Sequence, residues 1–209
     1  MQRPRTLVTP RSRAIVVSGT VGYLLGTIPS ADLATRLARS EIDSLRNAGS
    51  GNPGATNAAA VLGTRWGLAV LAADMGKGAL AARVGRAIGG STGAYFAATA
   101  SVGGHIVPLW SGGRGGKGVA TSAGACLAVF PAFFPIDSAV AILGATRLRN
   151  AEKATWLSSV VWIIASAVWW RRRLPNAWGP EPGAGLVGFA VGSSVMILTK
   201  FRLSRRAQR

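Results

Sequence analysis

The stretch AIVVSGTVGYLLGTIPSADLAT, residues 14–35, decides the fold class of this chain. It carries one charged residue, Asp32, close to its end. A helix of this length rises by 1.5 Å per residue and would cross the hydrocarbon core of a bilayer, which is about 30 Å thick. No small-x-small cleavage site leads from it into a polar domain, so we interpret it as a membrane span and not as a signal peptide.

Six further apolar segments follow this one, and no linker between them is long enough to hold a soluble domain. The sequence therefore predicts an all-α integral membrane protein of about seven transmembrane helices, with one domain over residues 1–209. We expect basic tails at 1–13 and 200–209. The six further segments are 67–82, 93–110, 118–134, 135–146, 155–170 and 183–199.

The composition separates two classes of partner. The chain has 24 Lys and Arg against 7 acidic residues, and 49% of its residues are hydrophobic. A strongly basic chain binds either nucleic acid or an anionic membrane surface. Because the apolar residues form long blocks, we predict contact with the lipid bilayer and no nucleic acid. Fourteen Lys and Arg fall on the C-terminal side of the predicted spans and nine on the other, which favours a cytoplasmic C-terminus.

The single cysteine, Cys126, excludes an internal disulfide and a zinc site built from several cysteines. We predict neither a metal ion nor another cofactor.

A first glycine-rich motif, RNAGSGNPGATN, occupies residues 46–57. Its G-x-G-x-x-G spacing indicates dinucleotide binding only inside a βαβ unit, which a loop between membrane spans does not provide. Ser50, Asn52, Thr56 and Asn57 supply hydrogen-bond donors just before an apolar helix, whose first N–H groups also attract anions. The motif is either a glycine-rich turn or one half of a phosphate site.

A second glycine-rich motif, SGGRGGKGVATSAG, occupies residues 111–124. Closely spaced glycines allow backbone N–H groups to converge on an anion as a nest, with nearby cations neutralising its charge. The motif is not a Walker A loop, because glycine follows the lysine. The alternative is a flexible basic loop that faces lipid headgroups. The candidate anion-binding residues are Arg114, Gly115, Gly116, Lys117 and Gly118.

Asp74 and Lys77 interrupt the second predicted span. Their spacing of three places them on one face of a helix, where they can pair. Ionisable groups at membrane depth cost about 2.5 to 3.5 kcal/mol each, so they normally face a polar interior. The pair is either a structural link between helices or part of a site. His105, the only histidine, is a candidate ligand or base, although a satisfied core residue is the commoner role of a lone histidine.

Five motifs follow one another along the first part of the chain, and they are GTIPSADLATRL, LRNAGSGNPGATN, DMGKG, GGHIVPLW and GGRGGKGVATSAG. In their order and spacing, the chain resembles the bacterial acyl-phosphate:glycerol-3-phosphate acyltransferases of the PlsY type from about Gly22 to Gly124. The resemblance implies a multi-pass enzyme of the bacterial plasma membrane with seven helices and cytoplasmic glycine-rich loops. It also implies transfer of a fatty acyl group from acyl phosphate to the 1-hydroxyl of glycerol 3-phosphate. The products would be lysophosphatidic acid and phosphate, and an enzyme that makes acyl phosphate would be a partner.

The resemblance also implies roles for individual residues. Ser50 and Lys117 would act in catalysis, with Lys117 on a phosphate group. The remaining candidates would bind substrate or shape the site, and they are Asn52, Thr56, Asn57, Asp74, Lys77, His105, Arg114, Gly115, Gly116 and Gly118.

Two departures from the family pattern keep a second function open. Ala60 stands where the family has an arginine, and the tail LTKFRLSRRAQR lacks the family's histidine and asparagine. Lys200, Arg202 and Arg65 are the candidates to replace the lost charge. The alternative to an active enzyme is a paralogue that binds a phosphorylated lipid or a partner protein in the membrane without catalysis.

Overall fold

The computed structural model describes residues 9–206, with the backbone alone at Ala145, and within this range it has helices and no strand. The prediction of an all-α fold is confirmed. A single 3-10 turn, Leu109–Ser111, joins two of the helices. The helices are α1 (Pro10–Gly26), α2 (Ser30–Leu37), α3 (Ala55–Leu62), α4 (Thr64–Ile106), α5 (Val119–Val129), α6 (Phe134–Leu148), α7 (Ala151–Arg172) and α8 (Ala184–Arg206).

The first predicted span is broken into α1 and α2. Pro29 has no backbone N–H and disfavours the helical conformation of the residue before it, Ile28, so the helix cannot continue through this point. The prediction of one helix over 14–35 is therefore wrong at residues 27–29. Taken together, α1 and α2 (Pro10–Leu37) are long and apolar enough to cross a membrane. Among the described residues, one other helix, Ala184–Arg206, meets the same criteria of length and hydropathy.

Helix α4 is a hairpin of two antiparallel arms, 64–88 and 91–106. The chain reverses at Gly89 and Gly90, and Gly90 has φ +63°, a left-handed conformation that favours glycine. Beyond the reversal, Gly85 lies against Gly93 and Ala97 of the opposite arm. The two arms correspond to the predicted spans 67–82 and 93–110.

The remaining predicted spans also correspond to helices, with shifted ends. The prediction 118–134 is too long, because α5 stops at Val129 just before Pro131 and is only 11 residues long. The span 135–146 falls in α6, 155–170 in α7 and 183–199 in α8. Both predicted tails are partly helical, since α1 begins at Pro10 and α8 extends to Arg206; residues 1–8 and 207–209 lie outside the described part.

Glycines bring neighbouring helices into direct backbone contact. Gly22 and Gly26 of α1 lie against Ala97 and Ser101 in the second arm of α4. On the other side of the hairpin, Gly124 of α5 lies against the backbone of Met75 in the first arm. Small residues at such positions permit the close van der Waals packing that associates helices within a bilayer. The α4 hairpin is therefore the centre of the fold.

Two apolar clusters divide the core. The larger one lies between α4, α5, α7 and α8, and its largest members include Phe130, Phe189 and Trp162. The rings of Trp162 and Phe189 meet edge to face, with centroids 5.1 Å apart. The smaller cluster contains Leu45 and Ala58, and it fixes the loop after α2 onto α3 and α4.

Replacement of Gly26 by alanine should destabilise the fold. The added Cβ would overlap the carbonyl oxygen of Ser101, and such overpacking typically costs about 1 to 3 kcal/mol. Gly188→Ala is the matched control, because the Cβ at Gly188 meets no atom within 4 Å and alanine favours the helix. Thermal unfolding in detergent, followed by circular dichroism, should show a lower midpoint for Gly26→Ala alone. Equal midpoints for the two variants would contradict this packing.

Candidate active site

Two loops and the end of α8 enclose a cavity of about 550 Å³ at one end of the helices. Loop A is residues 38–54, between α2 and α3, and loop B is residues 107–118, between α4 and α5. The volume lies within the range of small-molecule sites. We call this space the outer cavity, and its principal polar lining residues are Arg46, Ser50, Asn52, Arg114, Lys117 and Lys200.

The lining of the outer cavity is strongly positive. It includes four cations, and no acidic residue stands among the described residues that line it. The amine of Lys117 lies 4.4 Å from the ring centroid of Phe201, the neighbour of Lys200 on α8. This contact holds loop B against α8 and brings two lysines to one cavity.

Burial lowers the pKa of Lys117 below its ordinary value of 10.5, because the charged amine is partly removed from water. The carboxylate of Glu152, at the start of α7, opposes this shift. A partly desolvated cation interacts more strongly with an anion than an exposed one does. Lys117 is therefore suited to bind a phosphate group.

Asn57 organises loop A. Its Nδ2 donates to the carbonyl oxygens of Leu45 and Ala48 at 3.0 Å each, and its Oδ1 accepts from the backbone N–H of Ser50 at 2.8 Å. The side chain is buried and directed into the loop. The predicted contact between Asn57 and substrate is thus replaced by a positioning role, which sets the place of Ser50 at the cavity.

Four of the five glycines of loop B use their backbone N–H groups in bonds within the chain instead of in the predicted nest. The backbone N–H groups of residues 112–116 all donate to backbone carbonyl oxygens. Gly115 donates to Ile106 and Gly116 to His105, each at 3.2 Å. Because these donors are occupied, positive charge in the cavity comes from side chains instead.

Close packing explains these glycines better than anion binding does. A Cβ at Gly116 would overlap the ring of His105, and a Cβ at Gly115 would overlap the carbonyl oxygen of the same residue. Gly118 has φ +87° and lies against Ile106 as α5 begins. Loop B is therefore held tightly on the end of α4, which fixes the backbone of Lys117 between Gly116 and Gly118.

Arg46 is a site residue that the sequence motifs did not single out. Its guanidinium pairs with Asp32 of α2 at 2.5 Å, and its Nε donates to the carbonyl oxygen of Arg114 at 2.7 Å. It thereby joins α2, loop A and loop B. The signal was present, since Arg46 is the only charge in the motif of residues 46–57.

Asp74, Lys77 and His105 form a buried cluster on the two arms of α4. The predicted pair is confirmed, with Lys77 Nζ at 2.9 Å from Asp74 Oδ1, and His105 Nδ1 lies 3.5 Å from the same oxygen. Lys77 also donates to the carbonyl oxygen of Ile28 at 2.9 Å, where α1 is interrupted. The three side chains line an inner cavity of about 30 Å³, which adjoins the outer cavity at Arg46, Pro53 and Gly115. By itself it is too small for a phosphorylated substrate.

Thr56 and Ala60 lie away from both cavities. Both are exposed on α3, and neither lines the outer or the inner cavity. We therefore assign no substrate contact to Thr56. Of the three cations considered as replacements for the family arginine, Arg65 and Arg202 are exposed and line neither cavity, whereas Lys200 lines the outer one.

Replacement of Asp74 by asparagine should destabilise the chain. The substitution leaves the Lys77 ammonium buried without a counter-charge, which typically costs about 3 to 5 kcal/mol. Lys77→Met in the same background removes the unpaired charge and should restore part of the loss. Thermal unfolding in detergent measures both effects. A double variant no more stable than Asp74→Asn would show that the unpaired charge is not the cause.

The family model of glycerol-3-phosphate acyltransferase matches residues 16–208. The glycerol-3-phosphate acyltransferase of Thermoanaerobacter pseudethanolicus is 37% identical over 155 residues, covering 74% of this chain and 77% of the relative. The glycerol-3-phosphate acyltransferase of Cereibacter sphaeroides is 45% identical over 158 residues, which cover 75% of this chain and 71% of that relative.

Two crystal structures of PlsY, an integral membrane glycerol 3-phosphate acyltransferase, share the fold. The glycerol 3-phosphate form gives a TM-score of 0.74 at 28% identity, and the lysophosphatidic acid form gives 0.72 at 27%. Each match covers 92% of this chain and 90% of the other. This likeness confirms the prediction of a multi-pass membrane protein. It also extends the family resemblance, which the motifs carry only to Gly124, through α7 and α8. The chain therefore belongs to the glycerol-3-phosphate acyltransferase family of the PlsY type.

Proposed function

We propose that this enzyme transfers a fatty acyl group from acyl phosphate to the 1-hydroxyl of glycerol 3-phosphate, at the cytoplasmic surface of the bacterial plasma membrane. The outer cavity carries the proposal, because side chains from loop A, loop B and α8 place four cations and Ser50 around one space. Both substrates bring a phosphate group. A positive cavity at the end of membrane helices can attract both anionic substrates, and the adjoining bilayer can accommodate the acyl chain of the acyl phosphate.

The chemistry requires little more than placement and charge. The 1-hydroxyl oxygen attacks the carbonyl carbon of the mixed anhydride, a new ester C–O bond forms, and the bond between that carbon and the phosphate oxygen breaks. The phosphate departs with the electron pair and takes up the proton of the hydroxyl. Because the donor is already activated, holding the reacting atoms together and stabilising the departing charge are the main contributions of the protein.

Lys117 and Lys200 are the residues we assign to phosphate binding. Lys117 is fixed by the packing of loop B and by the ring of Phe201, and Lys200 comes from the opposite wall of the cavity. Ser50, whose place is set by Asn57, would orient an oxygen of the substrate, and Arg114 would add positive charge. Asn52 lines the same wall as Ser50.

Lys200 supports activity despite the two departures from the family pattern. Ala60 itself lies outside the lining of both cavities. Lys200 provides a cation from the α8 tail that lacks the family histidine. An enzyme that makes acyl phosphate would supply the donor, whose apolar chain would extend among the lipid-facing helices beside Leu203 at the cavity wall.

Loss of either lysine should reduce acyl transfer. The purified chain in detergent should release phosphate from palmitoyl phosphate only when glycerol 3-phosphate is present. A charge-assisted contact contributes about 1.5 to 3 kcal/mol, so Lys117→Ala or Lys200→Ala should lower kcat/KM by about one to two orders of magnitude. Arg202→Ala is the matched control for Lys200→Ala, because Arg202 is exposed on the same helix outside the cavity.

Two results would contradict this proposal. Equal losses in Lys200→Ala and Arg202→Ala would remove Lys200 from the site. No turnover with acyl phosphate or acyl thioester, where a relative with the complete motifs is active, would favour the non-catalytic paralogue.

Activity should decline on the alkaline side at a pH below that of an ordinary lysine. Burial favours the neutral form of Lys117, so its proton leaves as the pH rises toward a pKa lower than 10.5, and phosphate binding weakens with it. Lys117→Arg keeps a positive charge at high pH and should shift the alkaline limb upward. The pH profile of kcat/KM measures the shift, and an unmoved limb would assign it to Lys200, whose pKa burial also lowers.

A further inference from the structure

Seven arginines gather at the end of the helices away from the outer cavity. Three hydrogen bonds bring their segments together. Ser18 Oγ of α1 donates to the carbonyl oxygen of Gly85 at 3.3 Å, Arg86 Nη1 to Trp178 at 2.9 Å, and Trp169 Nε1 to Pro175 at 3.1 Å. We call this surface the arginine end, and its members are Arg11, Arg13, Arg83, Arg86, Arg171, Arg172 and Arg173.

The length of α7 separates the arginine end from the outer cavity. Its first turn holds Glu152, whose charge acts on Lys117, and its last turn holds Arg171 and Arg172. A helix of 22 residues is about 33 Å long, comparable with the thickness of a bilayer core. The two charged regions therefore face opposite sides of the membrane.

The charge of the arginine end is not neutralised within the described part of the chain. All seven arginines are exposed, and the ion pairs found among residues 9–206 involve other cations. Arg86 binds a backbone carbonyl oxygen. The loop 173–183 contributes one acid, Glu181, and Asp137 of α6 is hydrogen-bonded to Ser158 at 2.6 Å.

We propose that the arginine end binds the phosphate headgroups of anionic phospholipids. Guanidinium groups match the geometry of phosphate oxygens, and anionic lipids attract basic clusters at the membrane surface. Trp170 and Trp178, 41% and 60% exposed, lie in the same segments. Tryptophan gathers at the lipid–water boundary, so these rings place the arginines at headgroup depth and favour a lipid over a soluble polyanion.

This binding explains an exception in the charge pattern. The positive-inside rule places an excess of Lys and Arg on the cytoplasmic side, yet these seven arginines lie opposite the side that the rule selects. Headgroup phosphates would offset their mutual repulsion. The proposal needs the membrane fold and does not depend on acyl transfer.

Fluorescence quenching by brominated lipids tests the proposal on the full chain. The chain is reconstituted in phosphatidylcholine vesicles that contain either brominated phosphatidylglycerol or brominated phosphatidylcholine with the same acyl chains. The intact chain should show stronger tryptophan quenching by the anionic lipid. Arg171→Gln/Arg172→Gln/Arg173→Gln should lower this preference on the order of tenfold or more in relative affinity.

Two controls fix the location of the binding. Arg147→Gln/Arg149→Gln/Arg206→Gln removes the same charge from exposed positions at the opposite end and should keep the preference. Trp170→Phe/Trp178→Phe should remove most of the lipid-specific quenching. The proposal is overturned if both triple variants behave alike. It is also overturned if brominated phosphatidylglycerol and brominated phosphatidylcholine quench the intact chain equally.

Discussion

The buried carboxylate of Asp74 is the constraint on which the arrangement of this site depends. It lies between Lys77 on the same arm of α4 and His105 on the other. Through Lys77 it secures the carbonyl oxygen of Ile28, which also accepts from the backbone N–H of Ser30 at the break before Pro29. A single buried charge thus fixes the end of α1 and both arms of the hairpin, and loop B is bonded to the end of the second arm.

Side chains, and not backbone amides, give the cavity its positive charge. Gly115 and Gly116 use their N–H groups to attach loop B to the end of α4, so these two groups do not bind an anion. The rigid loop fixes the backbone of Lys117, and the ring of Phe201 contacts the amine of this lysine. Loop A is also held by bonds within the chain, because the side chain of Asn57 binds the loop's backbone and positions Ser50 at the cavity.

Hydropathy predicts the seven helical segments because burial in lipid requires long apolar blocks. Each block can be recognised from its own residues, without knowledge of the tertiary structure. It misses the break at 27–29 because an apolar run continues across it, although Pro29 gave a visible signal. The glycine-rich motifs locate loops A and B, because the spacing of glycines is likewise visible in a short stretch of sequence. The donors within loop B could not be predicted, because their partners His105 and Ile106 are set by tertiary packing. Lys200 was only one of three candidates until the fold placed it beside loop B.

The most direct test is a crystal structure of this chain with glycerol 3-phosphate bound. The phosphate oxygens should lie within hydrogen-bonding distance, about 2.7 to 2.9 Å, of the amines of Lys117 and Lys200. The N–H groups of Gly115 and Gly116 should remain bonded to the end of α4. A phosphate held by those two glycine N–H groups, with Lys200 directed elsewhere, would contradict a site built from side-chain cations.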